Sequence, residues 1–163
     1  MSVSARPYVR PCKDPLSRPF WDGLTAHQLC LQSCAACDTV RHPPAKHCPA
    51  CLSEEYNWTT ASGNGVVYSF AVIHNMILPQ WQGSGPLIIA QVRPVEVPAA
   101  SVLVRFNEAT NLIYGDLVNC DPSSVVVGLE VHGVFDDVDD GLTLLRWEPA
   151  PAASVRDRSE SAR

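Results

Sequence analysis

Four cysteines constrain this chain more than any other feature: Cys34, Cys37, Cys48 and Cys51 form two C-x-x-C pairs separated by ten residues, within SCAACDTVRHPPAKHCPACLS. A C-x-x-C turn places two sulfurs on one side of a tight knuckle whose backbone N–H groups also steady thiolates. Two knuckles complete the tetrahedron that zinc prefers. The intervening segment, with Pro43-Pro44 at its middle, has the length a short hairpin between knuckles needs. The expectation is a structural zinc ribbon holding one Zn²⁺.

Three other uses of such thiols fit less well. A thioredoxin-like redox pair would open a helix after a strand in a βαβ unit and would need no second pair. Catalytic zinc needs an open coordination position, which four thiolates deny it. Rubredoxin-type iron shares the four-sulfur geometry, so the spacing leaves zinc and iron both open. His42 and His47 lie between the pairs and are alternative ligands, although four cysteines already suffice.

Seven cysteines would suit a secreted disulfide scaffold, but the count is odd and Met1–Arg10 lacks the apolar core of a secretory signal. Apolar runs such as Pro86–Val92 are far shorter than a membrane span. A reducing, cytoplasmic setting is expected. The formal net charge is −5, and four thiolates around one divalent cation would take it to −7. Such a chain has no general attraction for phosphate backbones.

Along the chain, residues 1–16 carry three prolines and no apolar periodicity, the pattern of an extended arm. Ser17 offers a helix N-cap, and Pro19, Phe20, Trp21 and Leu24 predict a short helix with one apolar face, ending near His27. LCLQSC then reads as a strand entering the first knuckle, and Tyr56–Thr60 as a strand leaving the second. Ser62-Gly63-Asn64-Gly65 is a turn, and the domain break is placed there: 17–62 helix and ribbon, 63–149 barrel. Beyond it, the runs at 66–73, 87–93, 101–106, 129–135 and 142–147 have strand character, the last two joined by an Asp-Gly hairpin signal. Five strands with little room for helices predict a mainly β protein whose second domain is a small five-stranded OB-like barrel. A small sandwich has the same periodicity. Residues 150–163, rich in Ala, Ser, Arg and Glu, read as a disordered tail.

Other constellations carry little chemistry. Cys12 and Cys30 have no evident partner in the sequence, and Cys120 adjoins Asp121, which opposes thiolate formation. His74 follows a strand without an identifiable catalytic partner. Phe135–Gly141 (FDDVDDG) fails as an EF-hand loop, because with Gly141 at its sixth position the twelfth is Trp147 instead of Glu; a solvated hairpin turn is the better account. Two apolar features need an explanation: the helix with Phe20 and Trp21, and the loop NMILPQWQGSGP with Met76 and Trp81. Large apolar groups there either fold back on the core or meet a partner.

The ordered set PFWDGL (19–24), Leu31-Gln32 running into CAAC (34–37), Pro43-Pro44, CPAC (48–51), GVVYSF (65–70) and DDVDDGL (136–142) resembles the DUF35 family, from Arg18 to Pro149. That family joins a rubredoxin-like zinc ribbon to an OB-fold. Asp38 stands where many of its members carry Gly, and Asp tolerates the left-handed backbone such a position needs. The resemblance implies a small accessory subunit beside a thiolase-like enzyme acting on acyl-CoA in thiolysis, retro-aldol cleavage or acyl transfer. The catalytic residues would lie on the larger partner, and the small subunit would steady the complex and help shape the CoA channel.

The leading expectation is therefore a non-catalytic subunit with Phe20, Trp21, Met76 and Trp81 as partner contacts. A nucleic-acid-binding module is an alternative, because ribbons and OB-folds both serve that purpose, but 12 basic residues stand against 17 acidic ones. A stand-alone acyl-CoA hydrolase or transferase is a third reading, and would have to rest on Cys120 or His74.

Overall fold

The computed structural model describes residues 8–75, 79–83, 85–98, 104–105, 108–109 and 111–151. One short helix, α1 (Arg18–Thr25), precedes ten strands: β1 (Leu29–Cys34), β2 (Val40–Arg41), β3 (Tyr56–Ala61), β4 (Asn64–Ile73), β5 (Leu87–Pro94), β6 (Val104–Arg105), β7 (Glu108–Ala109), β8 (Ile113–Asp116), β9 (Glu130–Asp139) and β10 (Leu142–Pro149). None of the described helices is long and apolar enough to cross a membrane.

Ser17 occupies the N-cap position but does not cap. Its backbone is already helical and its side chain accepts nothing from the first turn. Instead Asp14 Oδ1 accepts the Ser17 N–H at 2.8 Å, because a turn over residues 15–17 runs directly into the helix. That N–H also holds the Asp14 carboxyl below its ordinary pKa. At the other end His27 adopts φ 54°, and the N–H groups of Gln28 and His27 reach back to the carbonyls of Gly23 and Leu24. This is the paired closure of a Schellman motif, with His in place of the usual Gly. The His27 ring then stacks on Phe135 at 5.3 Å and its Nε2 lies 3.0 Å from Asp137, tying the helix end to β9.

Strands β2-β1-β3 form a three-stranded antiparallel ribbon sheet. The second sheet runs β10-β9-β4-β5-β8, and a parallel bridge from Leu117 to Trp147, with the Val118 N–H donating to the Trp147 carbonyl, joins its two ends. The sheet thereby closes into an OB-like barrel. Strand β4 serves both neighbours, pairing with β9 over Asn64–Val66 and with β5 along most of its length, around a bulge between Val67 and Ser69. Such bulges let a long strand bend around a small barrel.

Two further sequence expectations change. The fifth barrel strand is Ile113–Asp116, where no strand is expected from the sequence; of the 101–106 run, Val104–Arg105 pairs with Glu108–Ala109 and the rest lies outside the described residues. The acidic stretch is not wholly a solvated turn. Asp136–Asp139 belong to β9, and Asp136 is buried against Arg146, whose Nε donates to Asp136 Oδ2 at 2.6 Å while Nη1 bonds to Asp116. The Asp-Gly hairpin is present, with Gly141 at φ 71°.

One core spans both sheets. Leu24, Leu29 and Leu31 from the helix and ribbon pack with Val67, Ala90, Val92, Val131 and Trp147 of the barrel. Each fully buried Leu contributes about 1.5–3 kcal/mol, so ribbon and barrel stabilise one another. The arm ahead of the helix is also attached: the Tyr8 hydroxyl and Arg10 bond to Asp139, and Lys13 Nζ donates to the Gly141 carbonyl at 2.6 Å.

Candidate metal centre and aromatic cleft

The two C-x-x-C segments fold into matching knuckles. After the first, the Asp38 N–H donates to the Cys34 carbonyl at 3.0 Å and the Cys34 N–H to Thr39; after the second, the Leu52 N–H donates to the Cys48 carbonyl at 2.9 Å and the Cys48 N–H to Ser53. Each knuckle thus closes with its fifth residue turning the chain. The four sulfurs lie within 4.8 Å of one another, with Cys34–Cys51 and Cys37–Cys48 both at 3.6 Å. A tetrahedron with metal–sulfur bonds of about 2.3 Å has edges of about 3.8 Å, so the four atoms surround one centre of the right size. Cys34 and Cys48 are buried, while Cys37 and Cys51 are exposed.

The thiols titrate far apart. Burial alone would raise the Cys48 thiol, but the N–H groups of Cys51 and Ala50 and the Cys37 sulfur outweigh it and bring it down to about 6. For Cys51 the Ser53 N–H acts downward, yet the crowding sulfurs of Cys37 and Cys34 push it up to about 12. The Thr39 hydroxyl and N–H lower Cys37. Four adjacent sulfurs cannot all ionise by themselves; a divalent cation removes that conflict by replacing the protons.

Neither histidine of the segment joins the sulfurs. His47 is exposed, with Nδ1 3.7 Å from Glu54. His42 turns toward Phe20, with ring centroids 4.8 Å apart, and burial pushes its imidazole down to about 4. Cys120 faces Ser124 and its own loop, and His74 is exposed at the end of β4. Among the described residues no second group of metal-ligating side chains converges.

Three of the four apolar residues singled out in the sequence do converge. Phe20, Trp21 and Trp81 line one cleft of about 460 Å³, together with His42, Tyr114 and Arg146. Phe20 and Trp21 meet edge to face at 5.1 Å, and Trp81 arrives on a 3₁₀ turn over Pro79–Trp81. Met76 lies outside the described residues. Tyr114 and Arg146 carry no local signal in the sequence, because each is brought here by the barrel's closure. A larger, open cleft of about 790 Å³ at the seam of ribbon and barrel holds His132 and Glu148, 2.7 Å apart, and none of the expected site residues.

A four-cysteine knuckle pair joined through a shared core to a closed five-stranded barrel defines a zinc-ribbon and OB-fold protein. Family models agree: the rubredoxin-like zinc ribbon domain of ChsH2 matches residues 21–57, and the ChsH2 C-terminal OB-fold domain matches residues 58–136. The chain belongs to the DUF35 family. It is 30% identical over 124 residues to a DUF35 domain-containing scaffold protein of Methanocaldococcus jannaschii, covering 72% of this chain and 77% of that one. It is 33% identical to a probable enoyl-CoA hydratase alpha subunit of Thermomonospora curvata, covering 80% of this chain, and 32% identical to the 3-oxo-4,17-pregnadiene-20-carboxyl-CoA hydratase alpha subunit of Mycobacterium tuberculosis, covering 86%. The match spans only 37% and 40% of the lengths of those two subunits. Among solved structures, a chain of the Ltp2-ChsH2(DUF35) aldolase superposes with a TM-score of 0.71 at 29% identity, over 87% of this chain and all of that one. A DUF35-family protein of unknown function from Sulfolobus solfataricus shares the fold at 16% identity and a TM-score of 0.59, over 85% and 87%.

Proposed function

We propose that this chain is a non-catalytic accessory subunit, with Zn²⁺ held by Cys34, Cys37, Cys48 and Cys51, that docks on a thiolase-like enzyme acting on acyl-CoA. The observation that carries this reading is the convergence of Phe20, Trp21 and Trp81, from helix and loop, on one cleft of a chain otherwise built as a scaffold. Aromatic anchors of this kind dominate protein interfaces. The neighbouring families act as complexes by name: an aldolase named for two components, two hydratase alpha subunits and a scaffold protein. Four thiolates leave the cation no open position, so it fixes the ribbon and activates no water.

On this reading the catalytic residues belong to the partner, and this chain stabilises the complex and shapes the CoA channel. The corresponding division is an arm over 1–16, helix and ribbon over 17–62, barrel over 63–149 and a tail over 150–163, acting in the cytoplasm; residues 1–7 of the arm and 152–163 of the tail lie outside the described residues. Ribbon strand β3 ending at Ala61 and barrel strand β4 starting at Asn64 support the central boundary. The test is co-expression with a thiolase-like protein encoded beside it. Co-purification, weakened about thirtyfold or more by Trp81→Ala as for an interface hot spot, supports the reading. A chain that neither co-purifies with nor alters such an enzyme overturns it.

A further inference from the structure

Among the described residues, Arg41 is a buried cation without a counter-charge. It is 2% exposed, yet among the described residues its Nη1 and Nη2 have no hydrogen-bond partner and no carboxylate pairs with it. Its Nε bonds to the neutral Gln32 Oε1, which also accepts the Ala45 N–H at 2.9 Å. Gln32 is itself fully buried, and its Nε2 donor is likewise unmatched. Three orphaned donor nitrogens therefore sit together inside the ribbon, although an unpaired buried guanidinium, which cannot shed its proton, is among the costliest groups a protein can hold.

The ribbon's register shows what lies beside them. Gln32 pairs with Arg41 across β1–β2, and the next residue of β1 on the same face is Cys34, which pairs with Tyr56 of β3. The guanidinium carbon stands 5.7 Å from the Tyr56 ring centroid, so the side chain lies on the cysteine side of the sheet. Four thiolates around a divalent cation carry a net charge of −2, and such a centre in a partly buried site needs positive charge nearby.

We propose that Arg41, clamped by Gln32, is the charge partner of the four-cysteine centre. The centre supplies the counter-charge that the guanidinium otherwise lacks, and the guanidinium offsets the anionic shell and retains the metal. Arg41 acts as a positioning and electrostatic residue for the ligand sulfurs, not as a ligand. The inference rests on the reading of the four cysteines as a metal site.

The test is Co²⁺ titration of the zinc-free chain, followed by the visible absorbance of tetrahedral thiolate-bound cobalt. Arg41→Gln, which keeps hydrogen bonding but removes the charge, is expected to weaken Co²⁺ binding about ten- to a hundredfold, the range for residues that support metal ligands. Arg41→Lys should restore binding to within about threefold of wild type. Gln32→Glu, isosteric at the same place, neutralises Arg41 without removing it and should weaken binding about tenfold, which covers a failure of Arg41→Gln to fold. Thermal melts separate charge pairing from mere packing: Arg41→Gln should lower the melting temperature of the zinc-loaded chain and leave that of the zinc-free chain no lower than wild type. Binding by Arg41→Gln or Gln32→Glu within about threefold of wild type, or equal losses in melting temperature with and without zinc, overturns the proposal. Wild-type chain that takes up no Co²⁺ overturns the metal reading and the proposal together, whereas metal uptake indifferent to both variants overturns the proposal alone.

Discussion

Asp38 and Leu52 occupy the same place in the two knuckles, and both hold the left-handed backbone, at φ 56° and 66°. Each follows its cysteine pair, and each donates its N–H to the carbonyl of the first cysteine of that pair. Asp suits this region better than Leu, for which it costs roughly 1–2 kcal/mol. Leu52 is also 73% exposed, so its side chain contributes little in compensation. Leu52→Gly should therefore stabilise the metal-loaded chain by about 0.5–1 kcal/mol after the entropy glycine adds to the unfolded state. Leu52→Val, β-branched, should destabilise it. Urea midpoints at fixed zinc concentration measure both.

Cys34→Ser tests the metal site most directly. Cys34 is both a buried sulfur of the cluster and the last residue of β1, so its loss removes a soft ligand from the end of the strand that carries Gln32. Wild-type chain should carry one zinc per molecule. The variant should lose the ion to a chelator at least tenfold faster, and β1 amides should lose hydrogen-exchange protection while the barrel strands keep theirs. Metal analysis and exchange mass spectrometry read the two effects; equal metal content and equal protection would contradict them.

The ribbon was legible because most of what specifies it lies within a few residues: the spacing, the prolines and Asp38 at a left-handed position after the first pair; Leu52, the matching position after the second pair, carries no such signal. The barrel's count of five was legible from period-two runs, but the identity of its fifth strand was not. Strand β8 is four residues long and contains Gly115, where a Cβ would come within 2.8 Å of Trp147 Cδ1. A glycine demanded by a contact with a residue more than thirty positions away leaves no local strand signal. Asp136 was hidden differently. A run of four aspartates around one valine looks solvated, and only the hairpin register brings Arg146 back beside it. The cleft shows both limits, since its aromatic residues were conspicuous in the sequence but their meeting depends on the closed fold.

His42 makes a pH dependence that can be assigned. Burial lowers its pKa from 6.5 to about 4. The unfolded chain therefore binds more protons than the folded one between those values, and stability rises with pH there. The contribution of the neutral ring is complete above about pH 6.5, declines as pH falls toward 4 and declines no further below it. Its full size is about 3 kcal/mol. Because acid also protonates cysteine ligands, the informative quantity is the difference between wild type and His42→Asn. That difference should shrink as pH falls from 7 to 4, in denaturant melts at several pH values, and a constant difference would contradict it.

Arg146 joins the cleft to the barrel wall, and its replacement gives the largest effect expected outside the core. The guanidinium is bonded to Asp136 through Nε and to Asp116 through Nη1, and these carboxylate side chains are 2% and 15% exposed. Arg146→Met would leave both acids buried without their cation, a change that typically costs 3–5 kcal/mol, whereas a neutral set of similar volume avoids most of that cost. The single variant should therefore lose about 3–5 kcal/mol in urea unfolding, and adding Asp116→Asn and Asp136→Asn should recover more than half of the loss. A loss below about 1 kcal/mol would mean that water reaches these carboxylates from the cleft and screens them. The cluster would then belong to the cleft's surface and would be free to meet a partner.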